Sequence, residues 1–207
     1  MDQTPTGSPD PKAVRDATLD GLKRVFLIIM GLAIARALTS AFTEHDTFLK
    51  EKLWIPPHSV QLALLGAFLP TAIRFPHGTM LHFSVLTGAR KWRWDMLVQL
   101  LQAILFFIAA LALDDLALFI FFYATIYIVD TAWLFIVSGA GHPFERLERQ
   151  WVMSNSIQLI VIGVLIFLVG RGHFSEFTAA VVLAVVSLAA TYWDYSHNSE
   201  HYFPTVA

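Results

Sequence analysis

The stretch WDYSHNSEH, residues 193–201, carries a carboxylate and two imidazoles, Asp194, His197 and His201, spaced i, i+3, i+7. On a helix that spacing gathers the three side chains within a sector of about 60°. A carboxylate and two imidazoles on one face can grip a divalent transition metal, and His77 and His82 of RFPHGTMLHF would complete a ligand set. No compact metal motif such as HExxH accompanies them, so the ligands would come from separate segments. Histidines that prefer a water boundary, or that sense pH there, are the plainer reading of the same pattern.

A second group of polar residues lies inside apolar stretches, where polar side chains are costly and mark function by default. Asp95, Gln99 and Gln102 recur at i, i+4, i+7, and Tyr123, Tyr127 and Asp130 repeat that spacing. Thr71 and Arg74, Asn155 and Gln158, and Asp194 add to the set, and Arg36 stands alone in the first apolar run. Arg36 falls roughly 18 Å into its helix and Asp130 about 12 Å into its own, at 1.5 Å per residue. An arginine side chain covers the difference, so the sequence predicts an Arg36–Asp130 pair. The candidate ion-pair and polar-network residues are therefore Arg36, Arg74, Asp95, Gln99, Tyr127, Asp130, Asn155 and Asp194.

The elements that hold these residues follow from composition. Of 207 residues, 56% are apolar and only 14% charged, where soluble domains carry about a quarter charged. Apolar stretches of roughly 18 residues or more call for transmembrane helices. Six are predicted, over 24–43, 58–75, 94–113, 116–138, 151–170 and 175–195. The expected fold is all-α: a polytopic six-transmembrane-helix bundle filling 11–203, with a disordered tail over 1–10 and a short C-terminal tail over 204–207. Asp10-Pro11 reads as a helix cap followed by proline at the first helical position, and Asp114-Asp115 as the turn of a tight helical hairpin. Pro70 is expected to kink the second span, and Pro76 with Gly78 to break it, leaving His77 and His82 on irregular backbone. HPFERLERQW (142–151) is amphipathic and expected along the membrane surface.

Basic residues set the orientation. Lys12, Arg15, Lys23, Arg24, Arg74, Arg90, Lys91, Arg93, Arg146 and Arg149 share one side, against Lys50, Lys52 and Arg171 on the other. The positive-inside rule then places both termini in the cytosol, in a bacterial inner (plasma) membrane. Trp92, Trp94, Trp133, Trp151 and Trp193 fall at the inner interface and Trp54 at the outer one, as an aromatic belt requires. On α-helical spacing, Gly31 and Ala35, and Ala33, Ala37 and Ala41, let helices approach closely.

Several functions drop out. A net charge of −2 offers no basic patch for nucleic acid. The chain has no cysteine, which removes disulfides and thiolate chemistry. There is no selectivity-filter sequence, voltage-sensing arginine repeat, phosphate-binding glycine loop or deep histidine pair for haem. Three readings survive. The favoured one is transport or oligomeric-channel conduction of a small solute or ion, through a polar cavity facing the cytosol, with the lipid bilayer and a homo-oligomer as partners. The second is a membrane-embedded enzyme with a His/Asp site, holding a divalent transition metal, at the cytosolic face. The third is a non-catalytic membrane subunit or sensor. The balance leans away from an enzyme, and the one cofactor the residues suggest is the divalent transition metal.

Overall fold

The computed structural model describes residues 10–43, 58–85, 92–137 and 145–203. Lys50, Lys52, Trp54, Arg90, Lys91, His142, residues 1–9 of the predicted N-terminal tail and the C-terminal tail lie outside those residues, as do the side chains of His82, Trp92, Arg146 and His201.

Among those residues six long helices form: α1 (Pro11–Thr43), α2 (His58–Val85), α3 (Trp92–Leu111), α4 (Leu116–Val137), α5 (Glu145–Gly170) and α6 (Glu176–His197); a single turn, α7 (Ser199–Tyr202), follows. Each of α1 to α6 is long and apolar enough to cross a membrane. Their starts are written in the sequence. The Asp10 carboxylate accepts the Lys12 N–H at 3.0 Å, one residue before Pro11 opens α1. Asp115 accepts the Leu118 N–H at 3.0 Å, ending the tight turn between α3 and α4. Ser175 accepts the Thr178 N–H at 3.1 Å at the head of α6. Before it, Gly172 turns the chain out of α5 with φ of 71°, a left-handed conformation that suits glycine.

Two expectations are corrected. Pro76 and Gly78 do not break α2, which runs from His58 to Val85 with both Pro70 and Pro76 inside it. Each proline costs one backbone rung, but neighbouring helices and hydroxyl side chains can take up the freed carbonyls. Pro70 frees the carbonyl of Gly66, and at the next residue the Ala67 carbonyl accepts the Tyr123 hydroxyl at 3.0 Å and the Thr71 hydroxyl at 3.2 Å. Gly78 has a different job. A Cβ there would stand 3.0 Å from the Trp151 ring, so glycine is what lets α5 lay its indole against α2. The second correction concerns HPFERLERQW. From Glu145 onward it is the first turns of α5, and Leu147 and Glu148 are buried in the bundle instead of lying on a surface.

The helices close into a ring. α1 packs on α2 and α3, α3 on α4, α4 on α5, α5 on α6, and α6 returns to α2. The α2–α6 seam is close because small residues meet there: a Cβ on Gly66 would lie 3.4 Å from that of Ala184. On α1, Ala33 and Ala37 face inward, whereas Gly31 and Ala35 are exposed. At one end the ring is filled by apolar side chains, including Leu64, Phe68, Phe106, Leu113, Phe119, Leu165 and Leu183. Phe106 stands edge-on to Phe68 and Phe75, with centroids 5.9 and 5.1 Å apart. At the other end the interior is polar.

Candidate functional site: a two-layered polar cluster

Four helices each place a residue in two stacked layers. Arg74 and Thr71 lie three residues apart on α2, Asp130 and Tyr127 on α4, and Asn155 and Gln158 on α5; Asp194 and Ser187 lie two turns apart on α6. The spacing i, i+3 or i+7 keeps each pair on one face. Because α5 runs opposite to the other three, its later residue joins the same layer as their earlier ones. The two layers therefore align across the ring.

The layer nearer the apolar core is made of hydroxyls. Tyr123 and Tyr127 reach from α4 to Thr71, with Tyr127 donating to Tyr123 at 3.2 Å. Ser187 approaches Tyr123 at 2.9 Å and donates to the Gln158 carbonyl at 3.4 Å. Tyrosine is suited to this place because its ring fills the apolar interior while its hydroxyl reaches a partner.

The other layer is ionic. Arg74, 4% exposed, donates to Ser154 at 3.2 Å and to the Asn155 carbonyl at 3.4 Å, and its Nε stands 3.9 Å from Asp194. Asn155 turns its amide N–H to Asp130 at 2.6 Å, and Gln102 donates to the other oxygen of Asp130 at 2.8 Å. Asn155 thus bridges Arg74 and Asp130. Asp194 is surrounded by donors: Asn198 at 2.8 Å, Tyr202 at 2.9 Å, Trp151 at 3.2 Å and the Arg74 guanidinium. Trp151 also donates to the Tyr202 hydroxyl at 3.2 Å. Burial pushes the Tyr202 hydroxyl above its ordinary value, and the adjacent Asp194 carboxylate pushes it the same way. Between these groups lies a cavity of about 30 Å³ bounded by Arg74, Asp130, Asn155, Gln99, Trp151 and Tyr202. That is room for one or two water molecules.

The other sequence candidates fall as follows. Gln99 accepts the Thr79 hydroxyl at 2.8 Å on the cavity wall. Asp95 is buried and accepts the Trp133 N–H at 3.1 Å, and the Trp133 side chain lines the same cavity as Arg74. The predicted Arg36–Asp130 pair does not form. The oxygens of Asp130 face Gln102 and Asn155, and the cation whose charge reaches it is Arg74. The reason is helix order: α1, which carries Arg36, packs on α2 and α3, whereas α4 lies between α3 and α5. Depth along a helix does not say which helices are neighbours.

The chain matches no protein family, curated protein or solved structure.

The histidine set disperses as well. Asp194 turns inward, while His197, on the same 60° sector, is exposed, rests over Trp193 at 4.9 Å and shares its Nδ1 with the Trp193 carbonyl at 3.0 Å. His77 sits among the rings of Tyr195, Tyr202 and Phe203 and meets the Tyr195 hydroxyl at 3.3 Å. No three His, Asp or Glu side chains gather to hold a metal among the described residues; those of His82 and His201 are not among them. Ser154, Ser187, Trp151, Asn198 and Tyr202 were not singled out from sequence as parts of the site. Serines inside apolar spans, and a tryptophan at a span's end, carry that signal only weakly, because both have ordinary roles in membrane helices.

Proposed function

We propose that this chain is an integral protein of a bacterial inner membrane, with both termini cytosolic, that moves a small ion as a transporter or oligomeric channel. The observation that carries this reading is the buried ionic layer with its water-sized cavity. Three ionisable groups, Arg74, Asp130 and Asp194, sit in the interior of a ring of apolar helices, a placement that is costly in lipid and marks ion pathways. The 30 Å³ cavity that Arg74 and Asp130 line has room for water or a small ion.

Basic side chains at the polar end, Lys12, Arg15, Lys23, Arg24, Arg93 and Arg149 among them, favour that end as cytosolic. The apolar end then forms the outward seal. Phe121, Ile128 and Phe135 line up at seven-residue steps on the exposed face of α4, a surface for acyl chains or for a second copy in a homo-oligomer.

Purified protein in liposomes, challenged with gradients of protons and of small cations and anions, tests the reading. Wild-type protein is expected to pass one class of ion, and Asp130→Asn to slow it by at least about tenfold. A wild-type protein that passes none in either orientation sinks the proposal.

A further inference from the structure

Resting on the ion-transport reading, we propose that the ion handled by the polar cluster is the proton, and that Asp130 is the group that binds and releases it.

Arg74 carries one positive charge, and Asp130 and Asp194 one negative charge each when ionised, so the layer as a whole would hold one uncompensated negative charge. A buried net charge is expensive, and one bound proton removes it. The hydrogen bonds say which carboxylate takes the proton. Asp194 faces the indole N–H of Trp151, the amide of Asn198 and the guanidinium of Arg74. Tyr202 accepts from Trp151 and therefore turns its own proton toward Asp194. Arginine and indole N–H groups only donate, and with the Tyr202 hydroxyl they give Asp194 three donors, so this surrounding favours the anion there over Asp130.

Asp130 is different, because both its contacts are amides. Asn155 has a fixed orientation: its carbonyl faces the Arg74 guanidinium, which cannot accept, so its N–H must face Asp130. Gln102 has no such constraint. It is 1% exposed, and its carbonyl oxygen has no hydrogen-bond partner among the described residues. Rotating that amide by half a turn exchanges donor for acceptor. With its N–H toward Asp130, Gln102 serves the carboxylate; with its carbonyl there, it accepts the proton of the acid. One side chain fits both states at no cost in partners.

The charged and titratable groups around Asp130 are then Arg74 on α2, Tyr127 one turn away on α4, and Asp194 beyond Arg74 on α6; Asp95 on α3 and Glu148 on α5 lie toward the same end of the bundle. Proton uptake comes from cytosolic water through the cavity, adds one charge to the layer and brings it to neutrality. Release restores the carboxylate and turns Gln102 back.

Infrared spectroscopy of the protein in lipid nanodiscs at neutral pH reads this directly. A carbonyl band of a protonated carboxylic acid is expected in the wild type, absent from Asp130→Asn, moved in frequency by Gln102→Leu and left in place by Asn198→Ala. Gln102→Leu removes no charge, so it keeps the test open if Asp130→Asn folds poorly. No protonated-acid band, or one that follows Asn198 instead of Gln102, overturns the proposal. Liposome flux separates the two readings. The band without ion flux defeats the transport function and leaves the proton site; ion flux without the band defeats the proton site and leaves transport.

Discussion

The same helices build an apolar half and a polar half, by different means. In the apolar half, α2, α3, α4 and α6 meet through Phe68, Phe106, Phe119, Ala180 and Leu183, and shape alone decides who touches whom. Many similar side chains could trade places there. In the polar half each contact has a direction: a guanidinium, carboxylates, amides, an indole and hydroxyls meet as donor to acceptor. Dispersion between lipid-like side chains stabilises a bundle without fixing its register, whereas a directional network fixes register and leaves no residue interchangeable. Stability is spread over the ring; specificity is concentrated at one end.

Replacing Arg74 breaks that contrast most severely. Arg74→Met leaves Asp130 and Asp194 buried without their shared cation, a loss of about 3–5 kcal/mol for a broken buried pair, read as a fall in thermal unfolding temperature in detergent. Arg74→Lys is expected to recover only part of it, since one ammonium cannot reach Ser154, Asn155 and Asp194 in the fork geometry that arginine uses. An Arg74→Met protein as stable as wild type would show the polar layer to be dispensable. Phe106→Ala probes the other half. It is expected to cost about 3 kcal/mol through a cavity between Phe68 and Phe75, yet to leave the ion preference of any flux unchanged. A changed preference would mean that the apolar half also selects.

The smallest effect is expected at the edge of the network. Tyr202→Phe removes the hydroxyl that donates to Asp194 and is expected to cost about 1.5 kcal/mol at neutral pH. The sign of its pH dependence follows from burial. In the unfolded chain a tyrosine gives up its proton near pH 10, while Tyr202 in the folded protein holds its proton to higher pH. The hydroxyl's contribution is whole below about pH 10 and drains away as pH rises beyond it. Unfolding temperatures of wild type and Tyr202→Phe should therefore converge in alkali; a gap that widens there would refute the bond.

Much of this was legible in the residues. Periodicity marked the polar stripe of each helix, because an exposed or buried face repeats at fixed steps. Asp130 stands out on that spacing, and Arg74, Asn155 and Asp194 as polar residues inside apolar runs. Periodicity could not say that Asp130 faces Arg74 and not Arg36, since the order of helices around a ring is set by packing between segments far apart in sequence. It also could not show that Gly78 is a slot for Trp151. Read locally, proline followed by glycine two residues later means a break; read against α5, the glycine is a missing methyl group that another helix occupies.

One consequence follows from the two prolines of α2. Pro70 and Pro76 each delete a rung from the backbone ladder, at the carbonyls of Gly66 and Ala72 four residues earlier. Arg74 lies between the two prolines and inside the span of the second missing rung, so the cation at the centre of the network is carried where the backbone ladder of α2 is thinned. Of the six long helices, α2 alone has proline in its interior among the described residues. The contacts of Arg74 with Ser154, Asn155 and Asp194 therefore fall where α2 is least held by its own backbone, and the polar layer braces the helix there as well as binding across the ring.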